Sequence, residues 1–123
     1  MPSSLVNARR GDRWKRAIRS LIERSFKADV VQAHGQDDAL DLLAKEQFDL
    51  VLVNRKLDQD YSDGMDVIAA IKAQPEHAAV PCMLITNFPE HQATAVAAGC
   101  EPGFGKKTLH EPATHERLKK YLG

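Results

Sequence analysis

The sequence predicts an α/β protein: a doubly wound, five-stranded parallel sheet covered by helices on both faces. Two observations carry this. Short apolar segments alternate with helical patterns five times along the 123 residues. The segment DLVLV at 49–53 is aliphatic and continuous, as a strand buried on both faces is. Composition agrees, with 43% hydrophobic and 28% charged residues, the balance of a globular chain large enough to bury a core. Repeats, low-complexity tracts and linkers are missing, so residues 1–123 read as a single domain.

The elements follow in order. Residues 4–8, SLVNA, form a short strand. Across 12–26, Trp14, Ala17, Ile18, Leu21, Ile22 and Ser25 recur at helical spacing, with basic residues between them on the solvent side. DVVQA at 29–33 is a strand, and Gly35 leads into a helix over 37–46 whose apolar residues are Ala39, Leu40, Leu42 and Leu43. After the strand at 49–53, residues 54–63 form a polar loop. Asp63 can cap a helix over 64–74 that buries Val67, Ile68 and Ile71 and ends before Pro75. VPCMLIT at 80–86 is the fourth strand. A short helix over 90–98 stops at Gly99, the residue type that favours the left-handed turn after a helix. A weak strand follows at 102–105, and Pro112 suits the first turn of a last helix ending near Leu122.

Net charge is zero, from 17 basic and 17 acidic residues, but the charge is segregated. Residues 1–27 hold eight basic residues against Asp12 and Glu23, a balance of +6, and residues 28–66 hold ten acids against three bases, a balance of −7. Such segregation speaks of surfaces and partners rather than fold. The N-terminus has no apolar core of a secretory signal, and no stretch is long enough to span a membrane, so the expectation is a cytoplasmic protein. Cys82 and Cys100 lack metal spacing and read as reduced, partly buried thiols.

Ligands of such folds bind beyond the C-terminal ends of the strands. This places Arg9, Arg10, Asn54 and the loop after it, Thr86, Asn87, Lys106 and Lys107 at the candidate site. In order and spacing, DLVLVN, DGMDVIAAIK, CMLIT and AAGCEPGFGK resemble the receiver domain of two-component response regulators over essentially the whole chain. The resemblance implies a flavodoxin-like (βα)5 sheet of strand order 2-1-3-4-5. It aligns Asn54 with the aspartate that accepts a phosphoryl group, Thr86 with the Thr or Ser that contacts that group, and Lys106 with the family's lysine.

The departures from the family gather at this site. Arg9 and Arg10 stand where the family places acids that hold Mg²⁺, and Asn54 replaces the phosphoacceptor. Lys107 takes the place of a proline, and Gly103 that of an aromatic residue, with Phe104 beside it. The loop after Asn54 is longer than the family's, and the segment from Thr86 to Gly99 shorter. A hard cation wants carboxylates. Two unit charges ~4 Å apart interact by about 4 kcal/mol at an effective dielectric of ~20, and a divalent ion doubles that. An arginine pointing into the site therefore opposes Mg²⁺, and the expectation is a site with no metal, no cofactor and no phosphorylation.

Two readings of the altered pocket compete. In one, Arg9 and Arg10 are solvated or pair with Asp58, Asp60 or Asp63, and this is the preferred one. In the other, Arg9, Arg10, Lys56 and Lys106 gather near Asn54 and Thr86 to bind a small anion. Other motifs fail on spacing. GFGKKT has Cys100 and Lys107 at two required positions of a phosphate-binding loop, and DQDYSDG lacks the terminal acid of an EF-hand. The five histidines form no metal pair, and no nucleophile triad is visible, so the chain is not read as an enzyme.

The first and last helices of this fold share one face of the sheet. Arg13, Lys15, Arg16, Arg19 and Arg24 then neighbour Arg117, Lys119 and Lys120. The expected function is a phosphorylation-independent adaptor that docks a protein, in particular an acidic one, in a bacterial signalling pathway, with Arg13, Arg16, Arg19, Arg117 and Lys120 as candidate contacts. Nucleic acid is disfavoured, because no recognition motif or aromatic platform accompanies the patch. The alternative function is a sensor of a small anionic ligand.

Overall fold

A computed structural model describes residues 3–7, 14–26, 28–33, 36–54 and 64–122. The strands are β1 (Ser3–Asn7), β2 (Asp29–Ala33), β3 (Leu50–Asn54), β4 (Cys82–Ile85) and β5 (Glu101–Phe104). The helices are α1 (Trp14–Phe26), α2 (Gln36–Lys45), α3 (Gly64–Lys72), α4 (Pro89–Ala97) and α5 (Pro112–Leu122), with a 3-10 turn at Lys106–Thr108. All strand pairs are parallel, in the order β2-β1-β3-β4-β5. The expected architecture and strand order are both present.

Alternation along the central strands divides the core in two. Leu50 and Leu52 of β3 and Met83 and Ile85 of β4 pack with Ile18, Ile22 and Phe26 of α1 and Leu118 and Leu122 of α5. Val51, Val53, Cys82 and Leu84 point the other way, onto Ala39 and Leu43 of α2, Val67, Ile68 and Ile71 of α3 and Ala95 of α4. Successive strand side chains face opposite sides, so α1 and α5 lie on one face of the sheet and α2, α3 and α4 on the other. Phe26 and His115 stack with ring centroids 4.8 Å apart, closing α1 against α5.

Several boundaries and faces differ from the sequence expectation. The buried stripe of α1 is Ile18, Ile22 and Phe26, spaced by four, while Ala17 and Ser25 are exposed. The third strand includes Asn54, so the polar residue is the last rung of the ladder rather than the first of the loop. The fourth strand begins only at Cys82, because Pro81 has no N–H to give and contributes its carbonyl to Val51 N–H, 2.9 Å away. Helix α3 stops at Lys72, whose ammonium donates to the Ala78 and Val80 carbonyls at 3.0 Å each and so ties the helix end to the following loop. Asp63, the expected cap of α3, lies outside the described residues.

Gly99 fulfils its expected role. With φ of 105° it occupies the left-handed region. Its N–H donates to Val96 O and the Cys100 N–H to Ala95 O, both at 3.0 Å, closing α4 in a Schellman motif with buried Cys100 and Ala95 in one cluster.

Candidate functional site

The C-terminal edge of the sheet is built by the ends of β3, β4 and β5. Asn54 closes β3 in register with Ile85, and it is only 7% exposed. Thr86, the next residue of the β4 chain, therefore stands beside it on the neighbouring strand. Its N–H continues the β4–β5 ladder by donating to Phe104 O at 3.0 Å. Its hydroxyl turns to the start of α4, where it accepts the Phe88 N–H at 3.3 Å and lies 3.4 Å from His91 Nδ1.

Beyond Thr86 the β4–α4 turn is fastened to the chain leaving β5. The Asn87 side-chain oxygen accepts the Lys107 N–H at 3.0 Å. Asn87 lies so close to Gly105 that a Cβ there would meet the Asn87 side chain and come within 2.8 Å of its Cα, so glycine is the residue this approach allows. Thr108 Oγ1 accepts the Gly105 N–H at 3.1 Å, and the Thr114 hydroxyl donates to Thr108 O at 2.7 Å, anchoring the 3-10 turn to α5.

The pairing of β4 with β5 is irregular at one place. Met83 faces Glu101 and Ile85 faces Phe104, so β5 carries one residue more than β4 between the two pairs. This is a bulge at Pro102 and Gly103, where Pro102 contributes no N–H. The Gln92 carboxamide of α4 enters the gap. Its Nε2 donates to Leu84 O at 2.9 Å, and its Oε1 accepts the Gly103 N–H at 3.0 Å. The same Nε2 lies 3.4 Å from Thr86 O and from Phe104 O. A side-chain amide thus stands in for a missing rung of the sheet. A Cβ on Gly103 would collide with Leu84 O, so the backbone can come this near only at glycine. From the other flank, Arg117 of α5 donates to Gly103 O. Both polar groups of Gly103 are satisfied by side chains, one from each helix beside the edge strand.

An open groove of about 400 Å³ runs between α4 and α5, lined by Thr86, Asn87, Phe88, Gln92, Lys107 and Arg117 among others. Phe88 on its rim is 56% exposed and meets His91 edge-on. Arg117, expected beside α1, is a wall of this groove, because its guanidinium is committed to the β5 edge.

Among the expected site residues, Asn54 and Thr86 come together. Arg9, Arg10, Arg13 and Lys56 lie outside the described residues, and Lys106 is placed by its backbone alone, opening the 3-10 turn. Arg16, Arg19 and Lys120 are exposed, as a docking face requires, and Arg19 pairs with Glu23 at 3.4 Å. Asn87, placed at the site by its position after the fourth strand, does fasten the turn there, whereas Gln92 and Gly105 were missed. A Pro-Gly pair inside a strand marks a bulge or a close approach, so Pro102 and Gly103 were the available signal.

The family resemblance raises Mg²⁺ as a ligand of this edge. Asn54 presents a neutral amide where a hard cation takes carboxylate, and among the described residues no group of three His, Cys, Asp or Glu side chains could hold a metal. The described part of this donor set does not fit Mg²⁺. Cys82 and Cys100 are both buried in the α2–α4 core. Burial pushes the Cys82 thiol up to about 12, against the pull of the Lys72 ammonium, and raises Cys100 for the same reason. Protonated thiols are poor nucleophiles, and both side chains are more deeply buried than the partly buried thiols expected.

Comparison with known proteins places this geometry. The family model for the response regulator receiver domain matches residues 13–121. The crystal structure of the signal receiver domain of a DNA binding response regulator protein (merR) from Colwellia psychrerythraea superposes with a TM-score of 0.82 at 24% identity, covering 98% of this chain and 97% of that one. The BeF3-activated N-terminal receiver domain of Klebsiella pneumoniae RstA gives 0.78 at 23% identity, with 99% and 98% covered. The Vibrio cholerae chemotaxis protein CheY4 gives 0.68 at 18% identity, with 99% of both chains covered. At these identities the likeness is one of fold. No curated protein matches the sequence.

Proposed function

The chain belongs to the response regulator receiver domain family of two-component signalling, and from that premise we propose that it works as an adaptor whose output does not depend on phosphorylation. The observation that carries the reading is Asn54, the buried last residue of β3. An acyl phosphate forms on a carboxylate oxygen, and an amide offers no such nucleophile. In the sequence, Arg9 and Arg10 stand where the family resemblance expects the acids that hold a metal. The Thr86 hydroxyl, engaged with the first turn of α4, supports the same reading. So does the Gln92 bridge, which fixes α4 to the sheet with no phosphoryl group taking part.

The contacts of such an adaptor are its surfaces. Arg16, Arg19 and Arg24 of α1 and Lys119 and Lys120 of α5 are exposed on the face those helices share, a surface suited to an acidic protein partner. No described helix is long and apolar enough to cross a membrane.

The test is incubation with acetyl phosphate and Mg²⁺ followed by intact mass spectrometry. The expected spectrum holds the unmodified mass alone. A phosphoryl adduct mapped to the pocket around Asn54 would sink the proposal.

A further inference from the structure

The two faces of the sheet carry opposite charge. Helices α1 and α5 together hold seven basic residues against Glu23 and Glu116. On the other face, α2, α3 and the segments that follow them hold seven acids (Asp37, Asp38, Asp41, Glu46, Asp49, Asp66 and Glu76) against Lys45 and Lys72. Lys72 is occupied by the Ala78 and Val80 carbonyls. A chain with zero net charge is therefore a slab with a basic side and an acidic side.

The acidic side also has a shape. At the end of the strands away from Asn54, a groove of about 470 Å³ runs between the end of α2 and the loop before β4. Leu43, Phe48 and Val80 supply apolar lining, and three carboxylates, Glu46, Asp49 and Glu76, outnumber the one lysine of the lining, Lys45. A second depression of about 420 Å³ shares Ala44, Glu76 and His77 with it and adds Asp41. An apolar floor with an acidic rim matches a long basic side chain, whose methylenes lie along apolar surface while its charged head reaches the carboxylates. Such side chains are what α1 exposes at Arg16, Arg19 and Arg24.

We propose that this groove docks the basic α1 face of a second copy of the chain. The inference rests on the adaptor reading above and names a partner for its basic face. Because groove and helix lie on opposite faces of the sheet, the contact is head-to-tail and does not close at two copies. Association then grows with concentration beyond a dimer, and it weakens as salt shortens the reach of the charges.

Sedimentation equilibrium of the purified chain at low and high salt tests this. At low salt the average mass rises above the 13.6 kDa monomer and keeps rising with concentration, and at high salt it returns to the monomer. The double variants Arg16→Glu/Arg24→Glu and Glu46→Lys/Glu76→Lys alter exposed residues, so circular dichroism should show both folded. Each alone associates at least about tenfold more weakly than the parent, since like charges now meet. Mixed, the two variants associate again, because each supplies the charge the other has lost. A parent chain monomeric at low salt overturns the proposal, and so does a variant that associates as strongly as the parent. Neither result bears on phosphorylation, which the mass measurement decides separately.

Discussion

The two strand junctions on either side of β4 are built differently. Toward β3, four residue pairs run in register, from Val51 and Cys82 to Asn54 and Ile85. Toward β5, the ladder skips a residue, and a glutamine from α4 fills the gap. The regular junction ends in a buried amide, Asn54. The irregular one is held by Gln92, Arg117, Asn87 and Thr108. Backbone ladders specify themselves, whereas a bulge bridged by a side chain depends on single residues. The β3 side thus rests on a continuous ladder, and the β5 side on single side chains.

The largest effect expected is at Gly103. Gly103→Ala forces a methyl group against the Leu84 carbonyl, a backbone atom that cannot swing aside. A loss of about 3 kcal/mol in urea unfolding is expected, at the upper end for overpacking. Ala69→Gly, at an exposed position inside α3, serves as the control, with a loss of about 1 kcal/mol from helix propensity alone.

Next comes the glutamine. Gln92→Ala leaves Leu84 O and the Gly103 N–H without their partner, and about 2 kcal/mol should be lost. Gln92→Glu goes further at neutral pH, because a carboxylate would face three carbonyl oxygens, and it recovers as acid protonates it. If both variants unfold like the parent at every pH, the bridge contributes nothing and the contrast between the junctions fails.

The thiol at the start of β4 gives a pH test. The Cys82 thiol is held at about 12 when folded against 9.0 otherwise, so the folded chain keeps a proton that the unfolded chain releases. That contribution is complete below about pH 9 and is lost as pH rises toward 12, with about 1.4 kcal/mol gone by about pH 10. Cys100 acts in the same direction. Thermal melts should show this decline, and Cys82→Ala should flatten it. The smallest effect belongs to Thr86→Val, about 0.5 kcal/mol, since its side-chain contacts at 3.3 and 3.4 Å are long.

The sequence made the regular half legible and hid the irregular half. Continuous aliphatic runs such as 49–53 announced the central strands, and Gly99 announced the end of α4, because period and left-handed conformation are local properties. Asn54 and Thr86 were found from their places at strand ends. Gln92 was not, since an exposed-looking glutamine on a short helix carries no local mark of the strand gap it will fill. The reach of Arg117 was hidden for a similar reason: helical spacing places it on α5, which does share a face with α1, while its long side chain extends to the β5 edge. The charge segregation and the basic face of the first and last helices were legible in the sequence, and the core adds that α2 and α3 gather the acids on the opposite face.

In the proposed adaptor, the β4–β5 junction is set by its own side chains and takes no instruction from phosphoryl chemistry. Amide NMR of the chain with and without Mg²⁺ and acetyl phosphate tests it most directly. The signals of Gly103, Gly105 and Lys107 should keep their positions in both conditions. A coordinated shift of these three amides, rising with a phosphoryl adduct in the same sample, would contradict it.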